Sequence, residues 1–183
     1  MIVGVGGQGT LLASRILGKV AIKEGYDVKV SEVHGMSQRG GSVVTYVKYG
    51  DKVYSPIIDR GESDLILAFE MLEAMRALPY LKKGGKMIAN TQKMNPMPVI
   101  TGAMEYPENI EEKLSAKINL QAVDALSLAE KAGTIKAVNV VLIGLLAKSM
   151  DVDKNVWIDV IKETVPEKFL DVNIKAFELG YEL

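Results

Sequence analysis

Apolar and polar residues follow one another along the first part of the chain in a pattern that predicts a strand, a helix and a second strand. Residues 1–5 (MIVGV) are a short β-branched run typical of a buried strand. Residues 10–24 carry leucine, isoleucine and valine at helical intervals, and Gly25 follows as a typical helix end. Residues 26–33 (YDVKVSEV) alternate as a strand. This stretch therefore predicts the opening of a β–α–β unit.

The pattern changes in the next part of the chain. Residues 42–56 (SVVTYVKYGDKVYSP) alternate on both sides of Gly50-Asp51, which predicts a hairpin with a tight turn. Because a hairpin pairs its strands antiparallel, the sheet is predicted to be mixed. A strand at 64–69, a helix that ends at Gly84-Gly85 and a strand at 85–90 are predicted to follow.

The remainder predicts one further strand among helices. Residues 93–107 hold three of the six prolines and predict a connection with one short edge strand. A helix from Pro107, a strand at 117–123 and a helix at 124–133 follow. From Val138 the chain is predicted to be helical to its end, in segments at 138–150, 156–165 and 169–180. Alternating strands and helices predict a single domain over residues 1–183. Its predicted class is α/β, a three-layer α/β/α fold with a Rossmann-like start and a mixed sheet containing a β-hairpin.

Net charge and hydropathy argue against nucleic acids and membranes as binding partners. The 183 residues carry a net charge of −1, so the chain has no basic field with which to hold nucleic acid or an anionic membrane. No apolar run approaches the ~20 residues of a membrane span. The first residues (MIVGVGGQG) lack the basic flank of a secretion signal, so the expected compartment is the cytoplasm.

The absence of cysteine narrows the chemistry further. Without cysteine the chain cannot form disulfides, a thiolate nucleophile or a cysteine-ligated iron–sulfur cluster. With a single histidine, a histidine-based metal site or a Ser-His-Asp triad could only be built around His34. We therefore predict no metal site and no catalytic residue in this chain.

The first glycine-rich stretch satisfies G-x-G-x-x-G from Gly4 to Gly9, between a predicted strand and a predicted helix. The N–H groups of such a loop and of the helix behind it can face a phosphate. A dinucleotide would also need an acidic residue ~20 positions further on, which Glu32 could supply. Alternatively, the glycines serve only close packing of helix on sheet. The candidate ligand-binding residues of this loop are Gly6, Gly7, Gln8, Gly9 and Thr10.

The second glycine-rich stretch, residues 32–43 (EVHGMSQRGGSV), supports three hypotheses. His34 could act as an acid or base, since its ordinary pKa suits proton transfer. The stretch could bind an anion through the guanidinium fork of one arginine and the N–H groups of two glycines. It could also dock on another subunit, because methionine and glutamine suit a desolvated contact. The anion hypothesis uses Ser37, Gln38, Arg39, Gly40, Gly41 and Ser42, and the docking hypothesis uses His34, Met36 and Gln38.

We favour anion binding and docking together. Ligands of α/β folds lie beyond the carboxyl ends of the strands, and both glycine-rich stretches are predicted to reach that edge. Glu70 and Asn90 are predicted to lie there too. For these two residues, capping a helix or satisfying backbone groups is the favoured interpretation.

Three segments together resemble the gamma-type subunit or domain of 2-oxoacid:ferredoxin oxidoreductases. They are residues 4–21 (GVGGQGTLLASRILGKVA), 32–50 (EVHGMSQRGGSVVTYVKYG) and 63–85 (SDLILAFEMLEAMRALPYLKKGG). Within that family, the sequence is most similar to the smaller (beta) subunits of the indolepyruvate type. The resemblance continues to the C-terminal helices and covers nearly the whole chain.

This resemblance implies a component of an enzyme that oxidatively decarboxylates 2-oxoacids to acyl-coenzyme A and passes electrons to ferredoxin. It implies a hetero-oligomer in which a large partner subunit carries thiamine diphosphate, Mg and [4Fe-4S] clusters. It also implies that this chain binds no cofactor tightly and that coenzyme A is the candidate ligand of the two loops. A stand-alone nucleotide- or NAD-binding enzyme and a purely structural scaffold remain the alternatives.

Overall fold

A computed structural model describes residues 1–37 and 39–183 as a six-stranded sheet with helices packed on both faces. The strands are β1 (Ile2–Val5), β2 (Asp27–His34), β3 (Ser42–Gly50), β4 (Ser63–Ala68), β5 (Leu81–Asn90) and β6 (Asn119–Val123). The helices are α1 (Thr10–Lys23), α2 (Met71–Ala77), α3 (Met97–Ile100), α4 (Ile110–Ser115), α5 (Ala125–Ala132), α6 (Val138–Lys148), α7 (Lys154–Thr164) and α8 (Leu170–Tyr181).

The strand order is β2-β3-β1-β4-β5-β6, and the sheet is mixed as predicted. Strands β1, β4, β5 and β6 pair parallel to one another. Strand β3 pairs antiparallel with β1 on one side and with β2 on the other. Strand β2 therefore runs parallel to β1 but is separated from it by β3.

The two faces of the sheet carry unequal layers, which confirms the predicted α/β/α architecture. Helices α1, α5, α6, α7 and α8 cover one face around a core that includes Trp157 and Phe177. Helices α2 and α4 cover the other face, where Met71 and Leu114 pack on residues of β4 and β5. Alternation along β4 divides its buried side chains between the two cores, with Ile66 in one and Leu67 in the other.

The sheet contains a hairpin, but the predicted position of that hairpin was wrong. The antiparallel pair is β2 with β3, joined by residues 35–41, and Asp27 lies opposite Gly50. Residues 43–45 of β3 pair along both edges and residues 46–50 pair with β2 alone, and residues 52–55 form no strand beside them in the part of the chain that the structure describes. They run instead as an extended connection, in which the Val53 N–H donates to Asp27 Oδ2 at 2.9 Å.

Three boundaries in the middle of the chain also differ from prediction. Helix α2 ends at Ala77, before Pro79, and β5 already begins at Leu81 rather than after the glycine pair. An irregularity in the pairing of β5 with β4 accommodates these extra residues. The connection at 93–107 contains the short helix α3 and, within the described residues, no strand. Helix α4 begins at Ile110 rather than at Pro107.

None of the helices in the described ranges is both long enough and apolar enough to cross a membrane.

Helices α6 and α8 pack with their backbones in direct approach. A Cβ atom added at Gly144 would collide with the Phe177 carbonyl oxygen, and one added at Gly180 would collide with the Val141 carbonyl oxygen. Glycine is therefore required at both positions by space rather than by backbone conformation. By contrast, a Cβ at Gly18 in α1 would meet only the side chains of Val28 and Val30, each at 3.7 Å.

We expect Gly144→Ala to lower the free energy of unfolding by ~3 kcal/mol or more, because the backbone of α8 has to shift. Gly18→Ala is the matched control. It should leave stability unchanged or raise it by ~0.5–1 kcal/mol through helix propensity. Urea denaturation followed by far-UV circular dichroism measures both. Equal effects of the two changes would contradict the close approach of α6 and α8.

Candidate functional site

Both glycine-rich loops lie at the carboxyl edge of the sheet, the edge at which β1, β4, β5 and β6 end. They are joined there by backbone hydrogen bonds. The Gly6 N–H donates to the Gly41 carbonyl at 2.8 Å, and the Gly40 N–H donates to the Gly6 carbonyl at 3.2 Å. These bonds follow from the register of β1 against β3, which places Val5 opposite Ser42. The structure thus brings together the two segments that the sequence marked separately.

Packing and internal hydrogen bonds account for much of the first loop. Gly9 has φ +85°, and a Cβ atom there would lie 2.5 Å from the side-chain nitrogen of Asn139 in α6. Gln8 accepts from the Val5 N–H at 2.8 Å through Oε1 and donates to the Phe69 carbonyl at 3.1 Å through Nε2. Thr10 is buried. The Gln8 side chain therefore forms hydrogen bonds within the protein, and the Thr10 side chain is packed inside it.

The same loop leaves the start of helix α1 open to an anion. Gly9 is its N-cap residue, and within the described residues no side chain caps the helix and no acidic residue lies in its first turn. The Leu12 N–H already donates to the Gly9 carbonyl at 3.1 Å, which leaves the N–H groups of Thr10 and Leu11 without a carbonyl four residues earlier within the helix. The positive end of a 14-residue helix dipole, with Gly7 exposed beside it, can therefore favour a negative ligand group.

The position of Glu32 does not favour dinucleotide binding. Across the sheet Glu32 lies opposite Thr45, which lies opposite Ile2 at the beginning of β1, and Thr45 Oγ1 donates to Glu32 Oε2 at 3.2 Å. Two strand spacings and three residues of rise separate Glu32 from Val5, roughly 10 Å in each direction. A ribose at the glycine loop would be out of its reach.

The second loop presents exposed side chains to solvent. His34 is exposed at the end of β2, and its Nδ1–H donates to the Gly35 carbonyl at 2.9 Å, a contact with neighbouring backbone. Met36 is fully exposed. Ser37 Oγ donates to the Arg39 carbonyl at 2.6 Å, which stabilises the turn. Gln38 lies outside the described residues.

A cavity of about 320 Å³ lies between this loop and the segment before and within α3. Its polar wall includes Arg39, Ser42 and Arg76, and Glu73 contributes a carboxylate. Its apolar wall consists of Leu72, Met94, Pro96, Met97 and Ile100 together with Val5. Gly6 to Gly9 and Thr10 are not among its described lining residues.

Glu73 is a residue of the candidate site that was not predicted from the sequence. It is buried, with Ser42 Oγ donating to its Oε2 at 2.6 Å and Arg76 donating to its Oε1 at 2.6 Å. The Glu73 carboxylate thus connects the second loop to a guanidinium at the cavity. The sequence feature that could have indicated this role is a glutamate between apolar residues of a predicted helix, three positions before an arginine.

Glu70 caps α2, as favoured from the sequence, and also holds the segment that follows β5. Its side chain accepts from the Glu73 N–H at 2.9 Å. It also accepts from the Met94 N–H at 3.0 Å and from the Tyr106 hydroxyl. Burial, together with this carboxylate, raises the pKa of Tyr106 well above its ordinary value. The hydroxyl therefore remains a hydrogen-bond donor even at alkaline pH, where an ordinary tyrosine ionises.

Asn90 has the backbone-satisfying role expected for it. Its Oδ1 accepts from the Ala125 N–H at 3.1 Å, and its Nδ2 donates to the Phe69 carbonyl at 3.2 Å. Asn90 therefore joins the end of β4 to the start of α5, and both polar atoms of its side chain are hydrogen-bonded to backbone groups.

The site can position an anion and present a surface, but it holds no set of residues suited to a metal centre. Across residues 1–37 and 39–183, no group of three or more His, Cys, Asp or Glu side chains converges. The chain has no cysteine with which to ligate an iron–sulfur cluster.

Comparison with known proteins shows which family this chain matches. The family described as pyruvate ferredoxin/flavodoxin oxidoreductase matches residues 1–183. Indolepyruvate oxidoreductase subunit IorB of Pyrococcus horikoshii is 46% identical, and that of Thermococcus kodakarensis is 45% identical. Each alignment covers 98% of this chain and 92% of the relative. The pyruvate/ketoisovalerate oxidoreductases common subunit gamma of T. kodakarensis is 30% identical over 97% of this chain and 92% of its own length.

Solved structures share the fold. The gamma subunit of a keto/oxoacid ferredoxin oxidoreductase from Geobacter sulfurreducens has a TM-score of 0.72 and 25% identity over 99% of this chain and 94% of its own. The 2-oxoglutarate:ferredoxin oxidoreductase of Magnetococcus marinus, solved with 2-oxoglutarate, coenzyme A and succinyl-CoA bound, has a TM-score of 0.68 and 16% identity. That match covers 99% of this chain and 30% of the other, so the fold forms part of a longer chain there.

We expect Tyr106→Phe to lower the free energy of unfolding by ~1.5–3 kcal/mol, because a buried carboxylate loses a hydrogen bond. Tyr54→Phe, at a side chain that is 88% exposed, is the control and should change stability by less than ~0.5 kcal/mol. Thermal and urea denaturation of the isolated chain measure the two. A Tyr106→Phe protein as stable as the wild type would show that Glu70 does not hold this segment through the hydroxyl.

Proposed function

The chain belongs to the pyruvate ferredoxin/flavodoxin oxidoreductase family as an oxidoreductase subunit, and we propose that it is the smaller subunit of an indolepyruvate:ferredoxin oxidoreductase. The observation that carries this proposal is the difference in identity among its relatives. Indolepyruvate-type subunits are 37–46% identical over nearly the whole chain, while pyruvate/ketoisovalerate-type subunits are 27–30% identical. An aryl pyruvate is therefore the substrate class that we propose for the complex.

The proposed reaction is the oxidative decarboxylation of a 2-oxoacid. The carboxylate leaves as CO₂, the acyl group passes to the thiol of coenzyme A, and the released electrons reduce ferredoxin. We assign the [4Fe-4S] clusters to a large partner subunit, since this chain supplies no cysteine ligand. We assign thiamine diphosphate and Mg to the same partner, since this chain has no GDG motif followed by paired asparagines. The chain itself acts by binding and positioning.

We propose that coenzyme A contacts this chain at the carboxyl edge of the sheet. Two features there suit its negatively charged phosphates. One is the uncapped start of α1 behind Gly7 and Gly9. The other is the cavity that Arg39 and Arg76 line, whose apolar wall suits the uncharged arm of the molecule. The contacting residues that we propose remain Gly6 to Thr10 and Ser37 to Ser42.

We also propose a domain organisation, a cellular compartment and the contact residues for the large subunit. Residues 1–183 act as one domain, because both cores form on the same sheet and the family match spans the chain. The complex works in the cytoplasm, where ferredoxin receives its electrons. His34, Met36 and Gln38 contact the large subunit.

The direct test is reconstitution of the complex from its two purified subunits. Alone, this chain should show no visible absorbance and no activity on any 2-oxoacid. Adding it to the large subunit should restore reduction of a viologen dye by indolepyruvate with coenzyme A. Turnover by this chain alone, or full turnover by the large subunit without it, would refute the proposal.

Arg39→Ala should raise the apparent KM for coenzyme A by roughly ten- to a hundredfold, as expected for a lost charge-assisted hydrogen bond of ~1.5–3 kcal/mol. Arg39→Lys should be intermediate, because lysine cannot form a bidentate contact. Arg60→Ala, at an exposed arginine in the connection before β4, is the matched control. An unchanged KM in Arg39→Ala would assign this arginine a structural role only.

His34→Gln should keep most activity and leave the shape of the pH–rate profile unchanged, because glutamine can also donate to the Gly35 carbonyl. Steady-state rates between pH 5.5 and 8.5 test this in the assembled complex, around the ordinary histidine pKa of ~6.5. Loss of turnover together with loss of a profile limb near pH 6–7 would instead make His34 an acid or base.

A further inference from the structure

Residues 92–104, the segment that follows β5, expose large apolar side chains at the carboxyl edge of the sheet. Met97, Ile100 and Met104 are each 65% exposed. Lys93 is the sole charged residue among these thirteen, whereas a quarter of the whole chain is charged. Depletion of charge and enrichment of methionine are typical of the core of a protein–protein interface rather than of a solvated connection.

The segment is held in place although it contains little regular structure. The Met71 N–H donates to the Gln92 carbonyl at 3.1 Å, which fixes the segment to the start of α2. Buried Glu70 accepts from the Met94 N–H and from the Tyr106 hydroxyl beyond its other end. The Met104 N–H donates to the Pro98 carbonyl at 3.0 Å. A surface formed before binding costs little ordering entropy on association.

The exposed side chains border the candidate site. Met97 and Ile100 line the same cavity as Arg39. Ser37 lines it from the opposite side, and its chain neighbour Met36 is fully exposed. Met97 and Ile100, together with Met36 and Met104 in the adjoining segments, are called the apolar rim of this cavity. An apolar rim that is continuous with a ligand site marks a surface that a second protein closes.

We propose that this apolar rim is the docking surface for the large, thiamine-diphosphate-carrying subunit, an inference that rests on the proposed function. The acyl acceptor can meet the acyl group only if the subunit that carries the acyl group covers the mouth of the cavity. In the Magnetococcus enzyme the same fold is part of a longer chain and is held to the remainder covalently. A separate subunit has to provide that attachment through its surface.

A second copy of this chain fits the rim less well. A symmetric dimer places the same patch against itself. It would therefore bring the Arg39 side chains of both copies towards one another at the two cavity mouths, whereas each Arg76 is already paired with Glu73. Like charges placed together across an interface oppose association.

The test compares the binding of two double variants to the purified large subunit by isothermal titration calorimetry. Met97→Gln/Ile100→Gln should raise Kd by roughly thirtyfold or more, as expected when interface-core residues are replaced. Ile22→Gln/Ile57→Gln is the matched control, at side chains 60% and 48% exposed near the opposite edge of the sheet, and should leave Kd within about threefold. The melting temperature of each isolated variant should stay within about 2 °C of the wild type.

The outcomes separate the two proposals. If the wild-type chain fails to bind the large subunit at all, the proposed function is wrong. If the wild type binds and the Met97/Ile100 variant binds equally well, the rim is not the docking surface and the proposed function stands. If sedimentation velocity shows that the isolated wild-type chain self-associates and that the rim variant abolishes this, the rim belongs to a second copy and the docking proposal is overturned.

Discussion

Insertion of β3 between β1 and β2 is the constraint on which the rest of the site depends. Because β3 runs antiparallel and pairs along both edges, the loop that precedes it ends at the same edge as the glycine loop after β1. The hydrogen bonds that link Gly6 with Gly40 and Gly41 follow directly. The same insertion moves Glu32 away from the glycine loop, so in a chain that begins like a dinucleotide-binding domain this acid does not lie where a ribose would bind. The position of β3 therefore joins the two loops to each other and removes the arrangement that a dinucleotide-binding domain uses.

Two buried carboxylates determine how the segments around these loops are fixed. A buried charge is tolerated only when it is well hydrogen-bonded, and both Glu70 and Glu73 are. Glu70 receives donors from α2, from Met94 and from Tyr106, while Glu73 receives Ser42 and Arg76. One helix of seven residues thus anchors the connection on one side of the cavity and the start of β3 on the other. The exposed residues of the site are therefore supported by the hydrogen bonds of two buried carboxylates.

The elements that are governed by local pattern could be predicted from the sequence, and those governed by pairing could not. Strand β1, helix α1 and the C-terminal helices are set by apolar spacing and were predicted within a few residues. Which strand pairs with β3 is determined by tertiary packing and not by local sequence. The alternation around Gly50 therefore predicted a hairpin at the wrong place. Gly6, Gly40 and Arg39 could be marked from glycine-rich motifs. Glu73 and the apolar rim could not, because burial of a glutamate and exposure of Met97 depend on which face of the sheet each segment reaches.

The central claim is that the carboxyl edge of the sheet is the working surface of a subunit that positions rather than catalyses. Hydrogen–deuterium exchange of this chain, alone and bound to the large subunit, tests that claim most directly. The account predicts slower exchange on binding in residues 34–41 and 92–104, with little change in the solvent-facing turns of α5, α7 and α8. Protection confined to that helical layer, with both loops exchanging as in the isolated chain, would contradict it.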